Sequence, residues 1–304
     1  MRYAFIKTLT ELAKKDPRIM LLTGDLGFTV FEDFAMSFPK QFINVGVAEA
    51  NMTGVATGLA LSGKIPFIYS IATFSTMRPY EQIRTDVAVH RANVKIIGSG
   101  AGLSYSDAGP THHAIEDISL MRGIPNMTVI CPADPIETAW ATLEAANKKG
   151  PFYLRLGKKG EPMIHKDKSL LRLGEGMLFR KGNKAAIFAT GNIVKNVLDA
   201  ADILKGKGIE ITVVDLHTLK PLDKNLINKI AKEHSKIFTA EEHLITGGLG
   251  SAVAEVISES GYNSKLIRIG IPDIFISEMG KQDYLRRKFG LDPEGIANLI
   301  SKAL

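Results

Sequence analysis

Ile65-Pro66-Phe67-Ile68-Tyr69-Ser70-Ile71-Ala72-Thr73-Phe74 is the stretch whose reading decides the fold. Residues 65–71 form an apolar run of strand length without polar alternation, the pattern of a strand covered on both faces. The run ends near an aromatic, Phe74, where a parallel sheet leaves its ligand crevice beyond the carboxyl ends of the strands. Helical spacing flanks it, from about Ala48 to Leu61 before and from about Pro79 to Val89 after, and a second strand follows at Val94 to Gly98. Further out, Phe5, Ile6, Leu9, Leu12 and Ala13 predict an opening helix, and Ile19 to Leu22 a strand. Beyond the centre come a helix from Ala114 to Met121 and a strand from Met127 to Ile130. A helix capped by Asp134 with Pro135 at its first position and a strand from Phe152 to Leu156 complete the unit. Alternation of this kind predicts an α/β fold with a mostly parallel sheet flanked by helices.

Residues 157–182 are rich in Lys, Gly, Pro and Glu and lose this rhythm, which places a boundary there. The expected division is a first domain over 1–165, a linker over 166–182 and a second domain over 183–304. The second repeats the alternation, with strands at Ala185 to Ala189, Glu210 to Asp215, Ile237 to Ala240 and Leu266 to Ile269. Its helices are expected near Ile193 to Leu204, Lys224 to Glu233 and Leu249 to Ser258.

A chain of 304 residues, 45% hydrophobic, is long enough for two cores and too long for a peptide-like module. Its net charge of +6, from 38 Lys and Arg against 32 Asp and Glu, is spread along both halves. That argues against nucleic acid, which needs a concentrated basic face. One cysteine, Cys131, excludes an internal disulfide, and its place before Pro132 at the end of an apolar segment suits a buried structural thiol. No apolar run reaches the ~18 residues that span a bilayer, and Lys7, Glu11, Lys14 and Lys15 interrupt any signal-peptide core. A cytoplasmic protein without membrane contact is expected.

Three segments stand out chemically. In Asn44-Val45-Gly46-Val47-Ala48-Glu49, the carboxylate of Glu49 either faces solvent or sits in an apolar cleft with a partner, where it is suited to share a proton. Phe74 is either core or a stacking platform for a planar ring. The loop Gly98 to His113 is long and Gly-rich, and its paired histidines, His112 and His113, suit acid and base work. Adjacent histidines chelate one ion poorly, and no further ligand lies at metal spacing, so no metal site is expected on this chain. Two other stretches are decoys. Gly247-Gly248-Leu249-Gly250 lacks the Lys-Ser/Thr of a P-loop, and Gly24-Asp25 is followed by Leu26 where a diphosphate-and-metal motif has Gly. No dinucleotide fingerprint is present.

Taken in order, Thr23-Gly24-Asp25-Leu26, Gly46-Val47-Ala48-Glu49, Glu81-Gln82-Ile83-Arg84, Gly109-Pro110-Thr111-His112, Ile124-Pro125-Asn126-Met127, Cys131-Pro132-Ala133-Asp134 and Phe152-Tyr153-Leu154-Arg155 resemble the second half of a transketolase. Leu219-Lys220-Pro221-Leu222-Asp223, Glu241-Glu242-His243 and Gly247-Gly248-Leu249-Gly250 extend the resemblance to nearly the whole chain, in the form encoded as a separate subunit. The resemblance implies a pyrimidine-binding domain, then a transketolase C-terminal domain. It implies thiamine diphosphate as cofactor, its diphosphate held with Mg²⁺ or Ca²⁺ by an N-terminal partner subunit that completes an α2β2 assembly. Glu49 then matches the glutamate that hydrogen-bonds the pyrimidine N1′, Phe74 the aromatic that stacks on that ring, and His112 the histidine that contacts substrate oxygens. Ile71 stands where a second aromatic is often found, and Arg78 is expected on the cofactor side.

Departures bear on the substrate. Arg2 matches one phosphate-pocket group and Thr29 stands in for a serine. Gly100 lies where a histidine is usual, and Lys158 where an arginine would make a bidentate contact. Asp107 sits beside the position of a sugar-reading aspartate, and His113 replaces a glutamine. A non-standard sugar, for instance a nucleotide-linked keto sugar, is therefore expected to exchange a two-carbon ketol unit. The alternatives are a deoxyxylulose-phosphate-synthase-like half, a 2-oxoacid dehydrogenase β-like subunit, and a scaffold subunit without chemistry.

Overall fold

The computed structural model describes residues 1–304, which build two sheets with helices on their faces. The strands in chain order are β1 Ile19–Thr23, β2 Phe42–Asn44, β3 Ile65–Ile71, β4 Lys95–Ser99, β5 Thr128–Ile130 and β6 Phe152–Leu156. They continue as β7 Met177–Arg180, β8 Ala185–Ala189, β9 Ile211–Asp215, β10 Thr218–Lys220, β11 Lys236–Leu244 and β12 Lys265–Ile271. The first sheet runs β10-β5-β6-β4-β3-β1-β2 and the second β12-β11-β8-β9-β7. Only β10 and β7 are antiparallel to their neighbours. β3 is buried at every position and lies between β1 and β4, which is why it carries no polar alternation.

The helix Arg2–Ala13 lays Phe5 and Leu9, both fully buried, into the core shared with Trp140 and Ala141 of the helix Pro135–Asn147. Each such side chain contributes roughly 1.5–3 kcal/mol by leaving water. The second helix begins as its sequence dictates, with Asp134 Oδ1 accepting from the Glu137 amide at 2.8 Å and Pro135 at the first position. No helix is long and apolar enough to cross a membrane.

Several elements differ from the sequence expectation. The segment expected as linker contains β7, which pairs with β9 as an edge of the second sheet. β10 follows directly after β9 yet crosses to β5 of the first sheet, so the chain returns to stitch the two units together. The helix expected from Ala114 starts instead at Asp117, because Ala114 exchanges backbone hydrogen bonds with Gly102 and stays extended. The helix expected from Pro79 to Val89 is a short α-turn, Tyr80–Gln82, that widens into the π-helix Ile83–Ala88. The short helix Glu32–Ser37, and Gln282–Lys288 and Pro293–Ala303 near the C-terminus, complete the architecture.

A buried ion pair reinforces the junction. Arg155 on β6 donates from Nε to Asp117 at 2.8 Å, and from one terminal nitrogen to the carbonyls of Ala114 and, across the boundary, Glu242. The Tyr153 hydroxyl donates to the same Asp117 oxygen. Removing one partner of such a pair typically costs about 3–5 kcal/mol, because a buried charge is left uncompensated.

Candidate active site

Glu49 opens the helix Glu49–Leu61, where a carboxylate is favoured by the helix dipole, and it is only 3% exposed. Ser70, on β3, donates from its hydroxyl to Glu49 Oε1 at 3.0 Å, and Arg78 donates to Oε2 at 2.8 Å. Gly24, just after β1, packs beside this carboxylate, and a Cβ there would lie in ordinary contact at 3.5 Å from Oε1. Of the two readings open to Glu49, the structure shows the cleft with partners.

Arg78 does more than pair with Glu49. Its guanidinium carbon lies 3.6 Å from the centre of the Phe74 ring, so Phe74 is a stacking platform and the arginine is on it. His112 also meets this ring, in an edge arrangement with centroids 5.0 Å apart. The Thr111 hydroxyl is 2.9 Å from His112 Nδ1, and the Thr111 carbonyl accepts from Thr73, which anchors the histidine to the segment after β3. Burial, then the nearby positive charge of Arg78, lowers the His112 pKa below the ordinary imidazole value, with Asp107 opposing the effect. The ring is therefore neutral near pH 7 and able to accept a proton.

The contacts continue toward the substrate side named in the sequence. Tyr105 lies 6.0 Å from His112 between ring centres, and Lys158 Nζ sits 4.2 Å over the Tyr105 ring. Lys158 also lies 3.7 Å from Asp107, and its carbonyl accepts from Arg2 Nε at 2.6 Å. Gly100, at φ +86°, lies beneath Tyr105, and a Cβ there would fall 2.1 Å from that ring. A histidine at this position is thus replaced by the tyrosine that fills its space. Glu49, Phe74, Arg78, His112, Gly100, Asp107, Lys158 and Arg2 form one chain of contacts.

Three expected site residues stand apart. His113 is buried beneath the loop, 2% exposed, with Nε2 3.4 Å from the Ser106 carbonyl. It faces the protein interior, which corrects the expectation that it binds substrate beside His112. Thr29 is exposed at φ +66° and donates its amide to Glu32 at 2.6 Å, and it shares no contact with the His112 group. Ile71 closes β3 and is buried.

The sequence reading missed Ser70, Tyr105 and a clamp from the second domain. Glu242 on β11 accepts the Leu103 amide at 2.9 Å and Gln282 at 2.8 Å on one oxygen, and pairs with Arg286 at 2.7 Å through the other. Ser106 and Gly280 exchange hydrogen bonds nearby. The C-terminal domain therefore holds the loop that carries His112. Its only sequence signal was the pair Glu241-Glu242. Both decoys are explained: Glu241 accepts the Leu249 and Gly250 amides and fills the helix N-terminus that a phosphate would need, and Asp25 is tied to Asn44.

The sequence profile of the transketolase pyrimidine binding domain matches residues 1–161, and that of the transketolase C-terminal domain matches residues 174–296. A protein of Methanocaldococcus jannaschii, provisionally named a transketolase C-terminal section, is 42% identical over all of this chain and 96% of its own length. The 6-deoxy-6-sulfo-D-fructose transketolase subunit SqwH of a Clostridium species is 40% identical over 97% of this chain and 92% of its own. Among solved structures, a split-gene transketolase, described as an inactive β4 tetramer, superposes with a TM-score of 0.90. It is 39% identical, covering all of this chain and 97% of that one. The chain belongs to the transketolase family, whose members depend on thiamine diphosphate, and it carries the pyrimidine-binding and C-terminal domains.

Proposed function

We propose that this chain is the pyrimidine-holding subunit of a split transketolase that moves a two-carbon ketol unit between sugars. The juxtaposition of Glu49, Phe74 and His112 carries this reading. A buried carboxylate whose Oε2 meets only a half-exposed arginine, next to an aromatic face covered by that same arginine, fits a flat heteroaromatic ring that displaces the guanidinium and brings a nitrogen to be hydrogen-bonded. Bound thiamine diphosphate supplies the nucleophilic carbon for ketol transfer. Glu49 holds a proton between its oxygen and the ring nitrogen, and Ser70 fixes the carboxyl group in place. Phe74 orients the ring by stacking. His112, neutral and aimed from the clamped loop, takes and returns a proton at the substrate oxygens. The scaffold reading is disfavoured because all three groups converge.

The diphosphate and its magnesium or calcium belong to an N-terminal partner subunit in this reading, since Asp25 is already engaged by Asn44. Gly54 and Gly58 lie exposed on the helix that starts at Glu49, with nothing within 4 Å of a Cβ built on either, which suits close packing against another chain. Arg2 and Lys158 offer positive charge to an anionic sugar, and Lys158 with Tyr105 packed over Gly100, in place of the usual arginine and histidine, suits sugars beyond the ordinary pentose phosphates. The relative named for a sulfo-sugar fits such breadth.

The test combines the chain with its partner subunit and compares xylulose 5-phosphate, 6-deoxy-6-sulfo-fructose and nucleotide-linked keto sugars as donors or acceptors. Ketol transfer with a non-pentose sugar preferred is expected. A clear preference for pentose phosphates overturns the substrate assignment, and acetyl transfer or oxidative decarboxylation of pyruvate overturns the reaction class.

A further inference from the structure

Away from this site, three segments meet at a closed polar cluster: the helix Pro135–Asn147, the connector after β6, and the end of β9. Glu137, Asp215 and Asp134 are 0% exposed, and the His165 side chain is 1% exposed. His165 Nε2 lies 3.3 Å from Glu137 Oε1 and 3.9 Å from Asp215 Oδ2, while Nδ1 lies 3.2 Å from Asp134 Oδ2. One donor atom each from Glu137, His165 and Asp215 falls within 4.8 Å of the others.

The hydrogen-bond inventory of these groups is incomplete. Asp134 is satisfied by the amides of Glu137, Ile164 and His165, and Glu137 Oε2 by the Ala133 amide. Glu137 Oε1, both carboxylate oxygens of Asp215 and both ring nitrogens of His165 have no hydrogen-bond partner. Unpaired polar atoms in the interior carry the full desolvation penalty. Three carboxylates facing a single imidazole also leave negative charge uncompensated.

We propose that Glu137 Oε1, His165 Nε2 and the Asp215 carboxylate bind one divalent first-row transition ion, zinc or manganese by donor chemistry, that clips the connector to both domains. Tetrahedral ligands at ~2.0–2.1 Å from zinc lie about 3.3 Å from one another. The histidine and Glu137 already have that spacing, and Asp215, at 3.9 Å from the histidine and within 4.8 Å of Glu137, has to move inward. Its second oxygen, also without a partner, can join the first as a bidentate carboxylate, which distorts the site away from a regular tetrahedron. Asp134 Oδ2 stands 3.2 Å from the far ring nitrogen, the place from which a carboxylate sets the ring of a ligating histidine, and a small turn of the ring would complete that hydrogen bond. A mixed nitrogen and oxygen donor set favours a transition ion over magnesium or calcium, which take oxygen alone. The residues come from the first domain, the connector and the second domain, so the ion acts as a structural clip.

The site is closed in the folded chain, so the test refolds the full chain, without thiamine diphosphate or partner, in Zn²⁺, Mn²⁺ or Mg²⁺ alone. Gel filtration and elemental analysis by plasma mass spectrometry follow. About one equivalent of zinc or manganese per chain is expected to remain, with a raised melting temperature. His165→Gln and Asp215→Asn should fall below about a tenth of an equivalent, while the surface variant Asp202→Asn keeps the ion. If the cluster variants do not fold, refolding the natural sequence with Co²⁺ decides: visible d–d bands support the site. Retention below about a tenth of an equivalent of every transition ion, with an unmoved melting temperature, overturns the proposal, as does retention of Mg²⁺ in preference to both.

Discussion

Glu49 and Glu137 are both buried glutamates in the first turn of a helix of the first domain, yet their surroundings send them to different tasks. Each oxygen of Glu49 meets a side-chain donor, and one of those donors, Arg78, is 44% exposed and able to swing away. Glu137 is shut in by other buried groups, and its free oxygen faces an imidazole and another carboxylate. A carboxylate with an exchangeable partner can serve a ligand that comes and goes. One walled in with other charges suits permanent fixation.

The largest effect expected from testing this contrast is on catalysis. Glu49→Gln keeps shape and removes the shared proton. In the assembled enzyme it should lower ketol transfer by about 10²–10⁴-fold, with the melting temperature of the chain little changed. Retained activity would return Glu49 to a packing role.

His112 comes next. Its lowered pKa means the neutral form persists below the usual imidazole range, so activity should hold to a pH below ~6.5 and fall as His112 gains its proton. Lys158→Met, which removes one lowering charge, should move that acid limb to higher pH, and Asp107→Asn should move it lower. Initial rates against pH for the three enzymes check the sign, and a shift in the reverse sense would refute the assignment.

Arg78 gives a smaller effect with an informative direction. The sequence resemblance places it among cofactor-holding residues, but in the structure it occupies both the Glu49 oxygen and the Phe74 face that the pyrimidine would use. Losing a half-exposed ion pair of about 1 kcal/mol should let Arg78→Ala bind cofactor about fivefold more tightly in the assembled enzyme. Weaker binding by titration would restore the holding role.

The smallest expected change is none at all. Burial pushes the Cys131 thiol up to about 12, so iodoacetamide should leave the folded chain unlabelled at pH 8 while the unfolded chain reacts. Rapid labelling of the folded chain would mean that the end of β5 opens to solvent.

Much of the fold was legible because its long elements carry their own signal. β3 and β6 show strand-length, largely apolar runs, the latter interrupted by Arg155, and the helix at Pro135 shows both cap and proline. The three-residue strands β2 and β10 carry too little pattern, and β7 mixes charge and apolar residues as an edge strand does; these exist by pairing with a partner already in place. The same holds at the site. Glu49 at a helix start, Phe74 beyond a strand end and His112 in a Gly-rich loop stood out as candidates, but the residues alone left Glu49 between surface and cleft and Phe74 between core and platform. Ser70, Tyr105 and the Glu242 clamp did not stand out, because their role lies in contacts with residues distant in sequence, Glu49, Lys158 and Leu103. His113 was misread for the opposite reason: adjacency in sequence suggested a shared task, but its ring turns inward, away from the face that His112 presents.

The central claim is that this chain supplies the ring-holding side of a shared cofactor site and depends on a partner for the diphosphate side. Calorimetric titration of thiamine diphosphate with Mg²⁺ tests it, first into this chain alone and then into an equimolar mixture with its N-terminal partner. The account predicts little heat from the chain alone and tight, metal-dependent binding by the mixture; tight, metal-dependent binding by the chain alone would contradict it.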